Sequence, residues 1–130
     1  DVKITGNGPI STTQVMLGQD ELGASIGDPA MGTGIPANQL RADYDFLTPS
    51  TFTENYVNVV APTGSSITLD GAPVGGWTAI GGTGWDVARV TVAAGGHHMQ
   101  SASSVRFAIT TYGYASYTSY LYPGGLNFTR

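Results

Sequence analysis

Apolar and polar residues alternate with a period of two along most of the chain. Val105, Phe107, Ile109 and Thr111 share one parity, while Arg106, Ala108 and Thr110 share the other. Ala88, Val90 and Val92 alternate with Arg89 and Thr91, Tyr44 and Phe46 with Asp43 and Asp45, and Ile67 and Leu69 with Ser66 and Thr68. Such alternation writes one buried and one solvated face, as in antiparallel strands. The pattern predicts strands at 2–5, 12–18, 42–48, 55–61, 65–70, 73–80, 86–93, 97–102, 105–113 and 116–122. Turn signals separate them at Pro62-Thr63-Gly64, Asp70-Gly71, Gly75-Gly76, Gly81-Gly82-Thr83-Gly84, Gly95-Gly96 and Pro123-Gly124-Gly125. A spacing of roughly ten residues between turns suits a sandwich or a barrel. Asp70-Gly71 is the strongest hairpin signal, because a type I′ turn needs positive φ at both central residues. Helix is scarce. Residues 36–40 offer one turn behind Pro36, Thr51 to Glu54 has the form of a capping box, and 20–34 reads as a long loop.

Composition narrows the class. The chain has 130 residues, one domain's worth. Hydrophobic residues are 41%, enough for a core, but charged residues are 11%, far below the ~25% of an average soluble domain. Gly and Pro number 19 and 7, and lysine appears once, at Lys3. Coiled coils and helical bundles are excluded. The net charge of −4 repels nucleic-acid and anionic membrane surfaces. No cysteine is present, which removes disulfides, thiolate zinc sites and thiol chemistry. The 23 uncharged residues from Phe107 to Thr129 invite a membrane span, yet they hold Pro123, three glycines and many hydroxyl residues. A spanning helix needs about 20 mostly apolar residues. The chain carries no start Met and no leader, and reads as a mature or excised piece of a longer protein.

Four stretches in fixed order carry a family resemblance from about Pro9 to Leu126. Gly18-Gln19 precedes Gly27-Asp28-Pro29-Ala30. Arg41 to Pro49 contains a Tyr-x-Phe-x-x-Pro strand. Asn55-Tyr56-Val57-Asn58-Val59-Val60-Ala61-Pro62 leads to Ile67 to Gly71, with Leu-Asp-Gly. Tyr112-Gly113-Tyr114 is followed by Ser119-Tyr120, then Tyr122-Pro123-Gly124-Gly125-Leu126. Together they resemble the C-terminal half of the bacterial domains grouped with the IgGFc-binding protein N-terminal domain. The family domain is longer, and Met31-Gly32-Thr33-Gly34 departs from its pattern. The resemblance implies a secreted or surface location and a binding role. It carries no immunoglobulin-binding residue onto these positions.

Candidate chemistry is sparse. His97 and His98 are the only histidines, and as strand neighbours they point to opposite faces, so they cannot chelate one metal together. One reads as packed inward with a hydrogen bond and the other as exposed, with a ligand or catalytic role as the alternative. The resemblance places His98 in a family Gly-x-His position. Asp43 and Asp45 share a strand face about 7 Å apart, which overlaps glycosidase spacing but is also how a solvent face is written. No Gly-x-Ser-x-Gly elbow, calcium loop or phosphate loop occurs. Neither catalytic residues, nor a metal site, nor a cofactor are therefore expected. Asn127-Phe128-Thr129 has the form of a glycosylation sequon, read as accidental. Five of the seven tyrosines fall between Tyr112 and Tyr122. They suit either an antibody-like contact surface or the rim of a small core with hydroxyls in water. Trp77 and Trp85 bracket the glycine run, one belonging to the core and the other offering an exposed platform.

The expected fold is all-β, an antiparallel β-sandwich of jelly-roll kind with eight to ten short strands. Residues 1–130 form a single domain, with 1–8 as a linker to a preceding region. The expected function is non-enzymatic recognition at a bacterial cell surface, as an adhesin or fibre-tip module. Its partner is a glycan or protein on another cell surface, with no nucleic acid and no membrane insertion. Ligand contact is assigned to Trp85, Tyr117, Thr83 and Trp77, because glycines admit close approach and an aromatic beside them supplies a flat apolar face. The alternatives are a carbohydrate-binding module of a secreted enzyme and a structural homotrimeric tip domain.

Overall fold

The computed structural model describes residues 1–22 and 26–128. It is all-β, with eleven strands among these residues. The first two are short: β1 (Thr13–Val15) and β2 (Met31–Thr33). Next come β3 (Asp43–Thr48), β4 (Glu54–Pro62), β5 (Ile67–Leu69) and β6 (Ala72–Pro73). The rest are β7 (Thr78–Ala79), β8 (Trp85–Thr91), β9 (Gly95–Ser101), β10 (Ala108–Ala115) and β11 (Thr118–Pro123). One sheet has the order β11-β10-β4-β8-β7, a second β3-β9-β5-β6, and β1 and β2 form a separate ribbon. All pairings are antiparallel.

The winding is that of a jelly roll. β3 pairs with β9, β4 with β8 and β5 with β6, each pair nested along the chain inside the one before. Folding such nested pairs over gives two facing sheets. The place beside β10 that a strand preceding β3 would take is held instead by β11, which returns through a tight turn. Two further turns are set by local chemistry. Asp70 and Gly71 have φ of 51° and 83°, as a type I′ hairpin between β5 and β6 requires. Gly81, Gly82 and Gly84 all have positive φ, so the glycine run is the turn into β8.

The core lies between the sheets, as the alternation demands. In β3 every second residue is buried, and β4 and β10 follow the same rhythm. Tyr44, Phe46, Ile67 and Met99 of one sheet meet Val57, Val59, Ala61, Ala88 and Ile109 of the other. Phe107 and Val92 complete the cluster, and Leu69 and Val90 pack against it half-buried. At one corner the sheets are tied directly. Phe107 N donates to Arg41 O at 2.9 Å. The Tyr44 hydroxyl donates to Phe107 O at 2.5 Å and accepts from Arg41 N at 3.0 Å. The Tyr44 and Phe107 rings meet edge to face at 5.1 Å. Gly124 closes the corner: a Cβ there would lie 2.1 Å from Ile109 Cγ1.

Several sequence expectations are corrected. Residues 2–5 form no strand, and Val2 and Ile4 are exposed, because local alternation supplies no partner to pair with. The 12–18 strand shrinks to β1, whose partner β2 lies inside the stretch read as loop. The 73–80 strand breaks into β6 and β7 across Gly75-Gly76, where Gly76 has φ 73°. That break and the unforeseen β2 explain why eleven strands appear instead of eight to ten. Behind Pro36 stands a single 3₁₀ turn, Ala37–Gln39. Thr51 to Glu54 starts no helix, since Glu54 opens β4. Gln19–Leu22 forms one helical turn that runs into the 20–34 region, of which 23–25 lie outside the described residues. So does Thr129 of the Asn127-Phe128-Thr129 sequon.

Phe107 is fully buried at the corner where the sheets meet. Phe107→Ala is expected to cost about 3–5 kcal/mol, read as a shift of the urea midpoint at constant slope. A change below about 1 kcal/mol would contradict the packing described.

Candidate functional site

The outer face of the five-stranded sheet is partly covered. Residues 1–22 and 26–36 run across it. Gly27 N donates to Ala115 O at 2.9 Å and Asp28 N to Ser119 Oγ at 3.0 Å. Arg89 of β8 grips the Asp1 carboxylate at 2.6 and 2.9 Å. This arm buries Val87 to 3% exposure, although Val87 shares the outward parity with Arg89 and Thr91. The arm does not fill the face. An apolar cleft of about 540 Å³ opens between Ile4, Ile10 and Ile35 of the arm and Val60, Ile80, Trp85 and Ala108 of the sheet side. Thr83 and Leu126 line it too.

Trp85 and Thr83 are held there by a locked turn. The Thr83 hydroxyl donates to Ile80 O at 2.6 Å and accepts from Trp85 N at 3.3 Å. Ile80 N donates to Trp85 O at 2.8 Å, and Thr63 N to Gly84 O at 2.9 Å. The other two candidates stand apart from this cleft. Trp77 packs half-buried against the core and its Nε1 donates to Val74 O at 2.9 Å. Tyr117 sits in the β10–β11 turn with φ 55° and is 75% exposed.

The tyrosine cluster divides by parity. Tyr120 and Tyr122 turn toward the rim of the sandwich, where Tyr120 donates to Asn55 Oδ1 at 2.7 Å and Tyr122 to Leu47 O. A Cβ at Gly113 would meet Tyr120 at 2.5 Å, so Gly113 makes room for that ring. Tyr112 and Tyr114 lie on the outer face with Tyr56, which stands opposite Tyr112 in register and stacks on it at 5.2 Å. They border a smaller, polar cleft of about 350 Å³ with Arg89 and Asn58. Hydrogen bonding to the Glu54 carboxylate and then burial push the Tyr56 hydroxyl up to about 12. Burial, with Tyr122 beside it, does the same for Tyr120. These phenols are neutral donors at physiological pH.

The histidines split between the faces of β9. His97 is packed inward, its side chain 8% exposed, with Nδ1 2.7 Å from Asp70 Oδ2 and Nε2 2.9 Å from Ala93 O. Thr48 Oγ1 lies 3.2 Å from that Nε2. Asp70, His97 and Thr48 thus fall in the order of a catalytic triad, but the Thr48 hydroxyl is buried and donates to Ala93 O at 2.5 Å. The arrangement fastens the β8–β9 connection. Asp70 also accepts His98 N at 2.8 Å. These two hydrogen bonds, the His97 one foremost, hold its carboxyl below the usual range. His98 points outward between Asp45, at 2.9 Å from Nδ1, and Asp43, at 3.4 Å from Nε2. The Asp45 hydrogen bond, ahead of the Asp43 charge, raises the His98 pKa.

The sequence profile of the IgGFc binding protein family matches residues 1–113. The chain belongs to this family. No curated protein and no solved structure matches it. The matched span takes in the arm from its first residue and runs to Gly113, within β10. The Ser119 to Leu126 signature lies beyond it. IgGFc binding proteins are a binding-type family, not one known for catalysis, and family domains of this kind are typically secreted or surface-borne. Among the described residues no helix is long and apolar enough to cross a membrane. Sequence reasoning missed the partners that register supplies. Tyr56, Arg89 and Asn58 join the outer face only once β4, β8 and β10 are aligned. Val2, Ile4 and Ile10 were the available signal for an arm lying against that sheet.

The depressed Asp70 pKa makes a pH prediction. Its contribution to stability is present in full above the unfolded value of 3.8 and is lost as pH falls through the lower folded value. Asp70→Asn keeps an Asx residue suited to the type I′ turn. It should lower the melting temperature at neutral pH, and the gap to the parent should close as pH falls below 3.8 and through the lower folded value. A gap that persists unchanged in acid would refute the role of the carboxylate.

Proposed function

We propose that the chain is a non-enzymatic recognition module displayed at a bacterial cell surface, of the adhesin or fibre-tip kind. It takes an apolar part of a protein partner on the outer face of its five-stranded sheet. The observation that carries this reading is the apolar cleft in which Trp85 and Thr83 are fixed by a hydrogen-bonded turn. A large aromatic at the wall of an apolar recess is the usual anchor of a protein contact. Membership of a binding-type family supports it. Tyr117, exposed at the β10–β11 turn, extends the contact zone as a separate element. Trp77, packed against the core, stays outside it.

The family name makes the Fc fragment of immunoglobulin G the first protein to try, beside a glycan array. With a bound partner in hand, Trp85→Ala is expected to weaken binding by about 2 kcal/mol, the scale of an interface anchor. Its melting temperature should fall far less than that of Phe107→Ala. Binding that survives Trp85→Ala with the fold intact would remove the cleft from the site. An array hit without any protein partner would favour a carbohydrate-binding module. Light scattering that finds a trimer with Trp85 shielded from iodide would favour an assembly domain.

Turnover is not expected. Screening against polysaccharide, ester and peptide substrates should give no rate above buffer. A rate abolished by Asp43→Asn or His98→Ala would overturn the non-enzymatic reading.

A further inference from the structure

Asp43 and Asp45 of β3 both face outward from the four-stranded sheet. β9 lies beside β3, with His98 opposite Asp45 and Gln100 opposite Asp43. The register therefore brings an imidazole between two carboxylates that local sequence merely places on one face. One ligand atom from each of Asp43, Asp45 and His98 lies within 4.8 Å of the others. We propose that these three side chains form a surface site for one divalent transition cation of the zinc class.

Three features support the assignment. The donors are one nitrogen and two carboxylate oxygens. Calcium prefers six to eight oxygens and magnesium a mostly aqueous octahedron, whereas zinc accepts nitrogen and carboxylate together. The backbone is held firm, since β3 and β9 pair along six residues and the neighbouring His97 is locked by Asp70 and Ala93 O. The local charge is also uncompensated by fixed cations. Among the described residues the one ion pair to an arginine or lysine is Arg89–Asp1, on the other sheet, and Asp43 and Asp45 pair only with His98. A divalent ion supplies the missing positive charge. Ligands around tetrahedral zinc stand roughly 3.3 Å apart; Asp45 stands at Nδ1 of His98 and Asp43 at Nε2, so one ring nitrogen takes the ion and the carboxylate beside the other nitrogen must swing round to reach it. Three protein ligands leave a fourth position for water. This site lies on the four-stranded sheet, whereas the Trp85 cleft is on the outer face of the five-stranded one, so the two readings stand or fall separately.

The test is a zinc titration of the full chain at neutral pH, followed by calorimetry and by the imidazole NMR signals of both histidines. One zinc per chain is expected, with the His98 signals moving and those of His97 staying in place. His98→Gln, and Asp43→Asn with Asp45→Asn, should each weaken zinc by about tenfold or more, the scale on which lost partners in metal sites cost affinity. Asp28→Asn, at an exposed carboxylate elsewhere, should leave it unchanged, and calcium should give no heat. All substituted side chains are at the surface, and the NMR of the parent chain decides the matter should a variant fail to fold. Absence of binding at millimolar zinc, undiminished binding in His98→Gln, or movement of His97 instead of His98 would overturn the proposal.

Discussion

One buried phenol governs how the two sheets meet. Tyr44 is 1% exposed, so its hydroxyl must find partners inside the protein. It donates across the sandwich to Phe107 O and accepts locally from Arg41 N, three residues before it. Leaving a buried polar group unpaired costs about 1–3 kcal/mol, so the alignment of β3 against the start of β10 is strongly specified. A shift of one residue in β3 would turn Tyr44 and Phe46 outward and carry Asp43 and Asp45 into the core. The apolar face, the corner and the outward pair of carboxylates are thus consequences of the same register.

The five-stranded sheet is constrained on its second face as well. An antiparallel sheet can leave one face in water, but here the arm covers part of it and the outer residues are mixed. Val60, Val87 and Ala108 need apolar cover, while Asn58, Arg89 and Thr110 need polar company. A segment with little regular structure of its own meets both demands loosely. The result is two clefts of different character on one face, and the apolar one holds the better anchored aromatic.

What could be read in the residues follows the range of the interactions. β3, β4 and β10 declare themselves because their alternation is a local property of five to nine residues. The β5–β6 hairpin is legible for the same reason, through Asp70 and Gly71. The opposite orientation of His97 and His98 needs only the two-residue period. β2 is hidden because Met31-Gly32-Thr33 has no alternation, and its strand state comes from the pairing with β1. The division of the tyrosines is hidden too: Tyr56 and Tyr112 are 56 positions apart in the chain and meet only through the β4–β10 register. His98 and the two aspartates were each visible, but their meeting depends on the long-range pairing of β3 with β9. Long-range pairing of that kind is where local reasoning stops.

The edges of the sandwich bear on life at high density. β7 and β6 end their sheets with only two residues each, and β6 carries Pro73. β11 is flanked by the ribbon, with Leu121 against Gly32. That leaves β3 as the one long border strand, and an unpaired border invites another chain to add to it. β3 answers with alternating negative charge and with the Tyr122 hydroxyl seated on the Leu47 carbonyl. Many copies can therefore stand side by side at high concentration without zipping their backbones into one continuous sheet.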